Sequence, residues 1–348
     1  MFIRPMTPVA ARHGRGPRQG RELCAVQQVP SIRTFDDVME VRALDSHPSR
    51  YPVAVTSPER VEYRVVSRLT RPGLVIALAL MWMTLPTFAI AESAQPKPTI
   101  QPKPTIIMVH GAWADGSSWS HVIPILDREG YTVIAPPNPL RGLMRDSAYL
   151  ASYLSTISGP IVLVGHSYGG AVITNAAVGN ANVKALVYID AFEPAAGETL
   201  QQLSFARPGS CLAGGGDVNN VFTFATDPSQ PSGDPDLYLK IAPGTDYTGF
   251  DACFATFVPR GDAAVLAAIQ RPLALGAFTA VSGTPAWASI PSWAVIGTQD
   301  QAIPPAELTF MAQRSQSKIT YVTAGHLSMI TQPRVVADVI SNAAEATR

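Results

Sequence analysis

From about residue 105 onward, the apolar positions fall into two kinds of run. Ile106–Val109, Tyr131–Ala135, Ile161–Val164, Val183–Ile189, Trp293–Ile296 and Ile319–Val322 are short and rich in β-branched residues. Such unbroken runs read as strands buried on both faces, the mark of a parallel sheet. Between them the spacing turns helical. Residues 146–157 set Leu150, Tyr153, Leu154 and Ile157 on one side, 305–315 form a second helix, and Val335, Val336, Val339 and Ile340 share a face of a third that begins near Pro333. A further helix is expected after the first strand, with Ser117 or Ser118 near its N-cap and Gly130 just past its end. Strands alternating with helices predict an α/β fold: a mostly parallel central sheet, helices on both faces, and an active edge at the strand C-termini.

The alternation lapses between about 193 and 290, a stretch rich in Gly, Pro, Asp and Phe. An insertion of that length in a sheet protein reads as a cap over the site. Residues 1–65 are Arg- and Pro-rich without periodicity, and read as disordered or as lying upstream of the true start. Arg68 and Arg71 then precede the apolar run Leu74–Leu85, and Ala89-Ile-Ala91 follows it. A positive flank, a short apolar core and a small-x-small site predict a signal peptide over 66–91, cleaved after Ala91, and a periplasmic or secreted product, with an uncleaved N-terminal anchor as the alternative. The run is too short for a comfortable span, so no stable membrane span is expected after cleavage. Residues 92–104 form a Pro-rich linker, with Gln95–Ile100 repeated at once as Gln101–Ile106. The domain proper is then 105–348.

Composition adds two constraints. With 47% hydrophobic and 15% charged residues, the 348-residue chain can bury a large core. Its formal net charge of zero hides an asymmetry: residues 1–91 hold 12 Lys/Arg and 7 Asp/Glu, the remainder 14 and 19. A mildly acidic body without a basic cluster argues against a nucleic-acid partner. Of three cysteines, Cys24 lies in the leader, and Cys211 and Cys253 both fall in the proposed cap, where an oxidising compartment favours their disulfide. No His/Cys spacing points to a metal site.

The chemistry centres on Gly165-His-Ser-Tyr-Gly169, between the strand Ile161–Val164 and a small-residue helix. This strand–turn–helix setting makes G-x-S-x-G a nucleophile elbow, with Ser167 lifted above the sheet edge at a helix N-terminus. A serine hydroxyl needs a base to take its proton as it attacks. His13 and His47 lie in the leader, and His121 reads as a helical surface residue. His166 adjoins the serine and reads as structural or pocket-lining, while His110 ends the first strand and reads as an organiser of the oxyanion loop. His326, in a loop between the last strand and the last helix, is the expected base. Its partner carboxylate is Asp300, directly after the Trp293–Ile296 strand, with Asp190 as rival and a turn role before Pro304 as the plainer alternative for Asp300. Backbone N–H groups of Tyr168 and Ala112, or Trp113 in place of Ala112, are the expected oxyanion donors.

His110-Gly-Ala-Trp-Ala-Asp-Gly-Ser-Ser-Trp119, the elbow, Gly297-Thr-Gln-Asp300 and Gly325-His326 together resemble the α/β-hydrolase superfamily, in the branch of small esterases and hydroxynitrile lyases that includes plant methylesterases. The resemblance covers roughly 104–345, weakly through the cap. It implies an α/β-hydrolase fold with an inserted cap, a Ser167–His326–Asp300 triad, an oxyanion hole at Ala112 and Tyr168, no cofactor, and hydrolysis of esters of small acids through an acyl-enzyme. The lyases carry Lys after the catalytic His and Thr beside the oxyanion loop, where this chain has Leu327 and Gly111. Both departures favour the esterase. Cofactor-free perhydrolases share the same triad, and a catalytically silent binding protein on this scaffold is the remaining alternative. Trp113, Trp119 and Phe254 are candidates to line a pocket for a small ester, with ordinary core packing as the alternative for each.

Overall fold

The computed structural model describes residues 102–347, apart from 227, 229–232 and 242–248. The leader, the signal segment and linker residues 92–101 lie outside the described residues.

Six strands form one parallel sheet: β1 (Thr105–Val109), β2 (Val133–Ile134), β3 (Ile161–His166), β4 (Val183–Ile189), β8 (Ser292–Gly297) and β9 (Lys318–Val322), in the spatial order β2-β1-β3-β4-β8-β9. Every pairing is parallel. The two central strands, β3 and β4, show why continuous apolar runs mark such a sheet. All six residues of β3 are buried, as are all of β4 except Lys184. All six C-termini point to one edge, where the loops carrying the candidate chemistry emerge.

Helices cover both faces. On one, α1 (Ile123–Arg128) and α9 (Pro333–Ala346) touch each other, and α9 lies across β3, β4 and β8. On the other, α2 (Leu143–Leu154) packs on α3 (Tyr168–Ala176), which covers β1, β3 and β4, while α7 (Pro305–Arg314) covers β8 and β9. Proline opens α9 at its first turn, as expected. Two local expectations shift. The turn after β1 is a short 3-10 helix, Gly116–Trp119, capped by the Asp115 carboxylate rather than by Ser117 or Ser118, and His121 sits exposed in the turn beyond it. The second helix runs three residues earlier than its periodicity suggested, because Gly142 (φ 143°) admits the chain and Leu143 is already buried.

The inserted region has a small fold of its own. Strands β5 (Phe222–Thr226), β6 (Pro235–Leu239) and β7 (Leu273–Ala274) form an antiparallel sheet, accompanied by α4 (Leu200–Phe205), α5 (Arg260–Ile269) and α6 (Leu275–Thr279). Its two ends meet in a narrow neck. Gly197 N–H donates to Ser282 O, Ser282 N–H to Glu198 O, and Thr199 bridges Val281. Cys211 and Cys253 are joined by a disulfide with Cα atoms 5.5 Å apart. The short helix Ser328–Thr331, α8, lies between β9 and α9.

Candidate active site

The loops after three neighbouring strands carry residues that occupy the left-handed region without being glycine: Trp113 (φ 55°) after β1, Ser167 (φ 51°) after β3 and Asp190 (φ 44°) after β4. Such positions cost energy and cluster where function over-determines the backbone. At Ser167 the cause is local. Cβ atoms at Gly165 and Gly169 would lie 2.6 Å from Gly169 O and 2.4 Å from Val109 O, so only glycine lets α3 pass this close to β3 and β1. The turn is held by Ser167 N–H to Ile189 O (3.2 Å) and by Phe192 N–H to Ser167 O (3.2 Å).

His326 and Asp300 meet as the sequence suggested. His326 Nδ1 lies 2.7 Å from Asp300 Oδ2, with both side chains buried. Asp300 also plays the plainer role, since its Oδ1 accepts the N–H groups of Ala302 (2.8 Å) and Ile303 (3.0 Å). One oxygen shapes the turn and the other faces the imidazole, so the two readings of this residue are geometrically compatible. Burial alone would lower the pKa of His326, but the charge and hydrogen bond of Asp300, with the charge of Asp190, outweigh it and raise it. Asp190, the rival acid, bonds backbone instead: Oδ1 to Gly297 N–H (2.7 Å) and Oδ2 to Ser328 N–H (3.1 Å).

The other two buried histidines are structural. His110 Nε2 accepts Asn138 N–H (3.0 Å), so its proton sits on Nδ1, facing Gly111 O at 2.9 Å. Burial pushes its pKa down to about 4, which keeps this tautomer neutral and pins the loop after β1. His166 Nε2 donates to His326 O (2.9 Å), and burial holds its pKa well below the usual value.

Ser167, His326, Ala112 and Tyr168 share the floor of one cavity, with Leu200, Leu212, Leu273 and Phe278 of the cap above them. The cavity holds about 10 Å³ of free space, room for roughly one water. Tyr168 is the first residue of α3, so its N–H has no acceptor within the helix. Of the three candidate pocket aromatics, Trp113 lines the cavity, while Trp119 and Phe254 pack edge-on against His166. Trp113 also reaches the cap, its indole N–H donating to Leu237 O at 2.8 Å. Among the described residues, no three His, Cys, Asp or Glu side chains cluster so as to hold a metal ion.

A sequence profile of the alpha/beta hydrolase family matches residues 106–339, spanning the whole sheet and every strand end described above. The chain belongs to the alpha/beta hydrolase family. A carbendazim-hydrolyzing esterase of Nocardioides sp. (strain SG-4G) is 34% identical over 110 residues, which cover 28% of this chain and 46% of that protein. The match thus spans about half the length of that relative. Solved structures of similar fold include the pyrethroid hydrolase of Sphingobium faniae JZ-2 (21% identity, TM-score 0.52, covering 70% of this chain and 98% of that one). A methylesterase from Arabidopsis is another (16% identity, TM-score 0.56, 70% and 99%).

Two groups escaped the sequence reading of this alpha/beta hydrolase family member. The Tyr168 hydroxyl donates to Asp146 Oδ2 at 2.7 Å, and both Asp146 oxygens face Arg141 N–H. Asp146 lies 22 residues before Tyr168 in no recognisable motif, and only the packing of α2 on α3 brings them together. The Trp113–Leu237 tie is equally silent, since it joins residues separated by the whole elbow.

Proposed function

We propose that this protein is an exported serine hydrolase that cleaves small, neutral, apolar carboxylic esters. The observation that carries the reading is the Nδ1 contact of His326 with Asp300, which leaves Nε2 as the basic nitrogen in a cavity shared with Ser167. Ser167 Oγ attacks the ester carbonyl carbon as its proton passes to His326 Nε2, and Asp300 stabilises the imidazolium. The carbonyl oxygen, now negative, is met by the N–H groups of Ala112 and Tyr168. His326 then returns the proton to the departing alkoxide, leaving an acyl group on Ser167. Water, deprotonated by the same nitrogen, attacks that acyl group, and the acid leaves as Ser167 recovers its proton.

The substrate class rests on the cavity. Its cap side is aliphatic and aromatic, so a charged acyl group would lose its hydration there without a partner. A relative named as a carbendazim-hydrolyzing esterase is consistent with ester-cleaving chemistry on a neutral substrate. Export is supported by the Cys211–Cys253 bridge, which suits an oxidising compartment. Hydrolysis is favoured over lyase chemistry by two positions. A Cβ at Gly111 would come within 2.7 Å of Ser167 Cβ, and Leu327, in the place of a cyanide-binding Lys, is buried. Hydrolysis of p-nitrophenyl esters from acetate to decanoate tests the reading. Turnover that peaks at a short or middle chain length supports it, and turnover at no chain length, or a rate that rises all the way to decanoate, contradicts it.

A further inference from the structure

Asp190 is a buried carboxyl beside the site with no part in the mechanism so far. It directly follows β4, is wholly enclosed, and is held at a φ (44°) that a non-glycine residue adopts only under constraint. Its two bonds run to two different catalytic loops. Gly297, bound to Oδ1, is the last residue of β8, three before Asp300. Ser328, bound to Oδ2, is the first residue of α8, two after His326. The loops bearing the acid and the base therefore converge on a single carboxylate. Both oxygens already accept an N–H, an arrangement that suits the anion: a protonated oxygen would set its own O–H against a donor. A neutral side chain would be easier to bury here. Enclosure, reinforced by the charge of Asp300, pushes Asp190 up to about 7, so the site retains a group that resists ionisation in surroundings that need it ionised.

We infer that Asp190 is a positioning residue of the reaction: its carboxylate holds the Asp300 and His326 loops in register and places a second negative charge behind the imidazolium that forms as Ser167 attacks. The inference rests on the Ser167–His326–Asp300 reading. The charged and titratable groups facing His326 are Asp300, Asp190 and His166, whose ring centroid lies 4.8 Å from that of His326. Those facing Asp190 are Asp300 and His326. Because His166 is held neutral, Asp190 is the one group besides Asp300 in this set that adds negative charge.

The test follows hydrolysis of p-nitrophenyl butyrate from acid to alkaline pH by the full-length protein and by Ser167→Ala, Asp190→Asn and Ser328→Pro. Asp190→Asn keeps the shape and one acceptor but removes the charge. Ser328→Pro removes one N–H tie at a first helical position, where proline is tolerated, and leaves the charge in place. For Asp190→Asn, kcat should fall about tenfold or more at nearly unchanged KM, the pattern of a lost transition-state interaction. The acid limb of kcat/KM should move to lower pH by about half a unit or more, because the imidazolium loses a stabilising charge. For Ser328→Pro, kcat should fall while the limb stays in place. A purely structural role would lower the melting temperature and leave the limb fixed in both variants.

Wild-type kcat and a superimposed limb in folded Asp190→Asn would overturn the inference. Should that variant not fold, Ser328→Pro decides: reduced kcat at nearly unchanged KM with a melting temperature close to the parent's upholds it, and wild-type kcat, or a kcat loss that only accompanies a lowered melting temperature, overturns it. Turnover surviving in Ser167→Ala would instead remove the triad itself, a failure distinct from any of these.

Discussion

The indole N–H of Trp113 donates to the carbonyl of Leu237 at 2.8 Å, joining the loop after β1 to the middle strand of the cap sheet. Trp113 directly follows Ala112, a proposed oxyanion donor, and its ring packs on Phe222 and edge-on to Phe254. The cap therefore helps hold the backbone proposed to bind the developing charge. Trp113→Phe keeps an aromatic ring but deletes the donor, and should lose about 0.5–1.5 kcal/mol of stability. Its kcat/KM should fall about 10- to 100-fold, because a displaced oxyanion donor weakens transition-state binding. Thermal melting and steady-state kinetics check both figures. Unchanged kinetics would separate the cap from the oxyanion loop.

Activity should depend on pH through His326. The base works only when neutral, and its pKa lies above the ordinary histidine value because the two carboxylates outweigh burial. Activity is therefore present above that pKa and is lost as pH falls through it. Asp300→Asn removes the largest stabilising charge, so the acid limb should move to lower pH while kcat drops about 10³- to 10⁴-fold. A pH–rate profile of the two proteins measures both effects.

Much of this site is legible in the sequence because its residues stand at strand ends. A buried run followed by a glycine-flanked serine admits few structures other than an elbow, and Asp300 and His326 occupy the loops after the last two strands. Asp300 is ambiguous for a physical reason: a carboxylate after a strand can close a turn or face a base, and here one oxygen accepts the Ala302 N–H while the other contacts His326. Asp146 and Asp190 could not be assigned, since their roles depend on α2 packing against α3 and on two loops converging. The cap sheet was hidden as well. Its strands are short, β7 has two residues, and their pairing crosses long sequence separations that leave no local period. The N-cap at Asp115 was missed because Ser117 and Ser118 are equally good capping residues in the same turn.

Gly111 is predicted to be intolerant of any side chain. A Cβ there would meet Ser167 Cβ at 2.7 Å and His166 Nδ1 at 2.9 Å, both held by the elbow and neither at the end of a flexible chain. Gly111→Ala should destabilise the fold by about 1–3 kcal/mol as overpacking does. It should lower kcat about 100-fold by displacing the nucleophile. A chemical denaturation curve and a kinetic comparison would detect both. Wild-type values would mean that the loop after β1 can retreat.

The Cys211–Cys253 bridge closes a loop of 42 residues and ties the cap turn beside Leu212 to the segment that carries Phe254. Loop closure of that length contributes about 4 kcal/mol to stability. Cys211→Ser combined with Cys253→Ser should lower the melting temperature by about 8–16 °C. Calorimetry in oxidising buffer measures it. A melting temperature equal to that of the parent would show that the bridge is dispensable to the cap.

The central claim is that Ser167 is an activated nucleophile, and covalent labelling tests it most directly. A fluorophosphonate should modify wild-type protein rapidly at Ser167, located by mass spectrometry of the labelled peptide. It should leave Ser167→Ala unmodified, and label Asp300→Asn far more slowly. Labelling of Ser167→Ala at the wild-type rate, or wild-type protein that stays unlabelled while folded, would contradict the account.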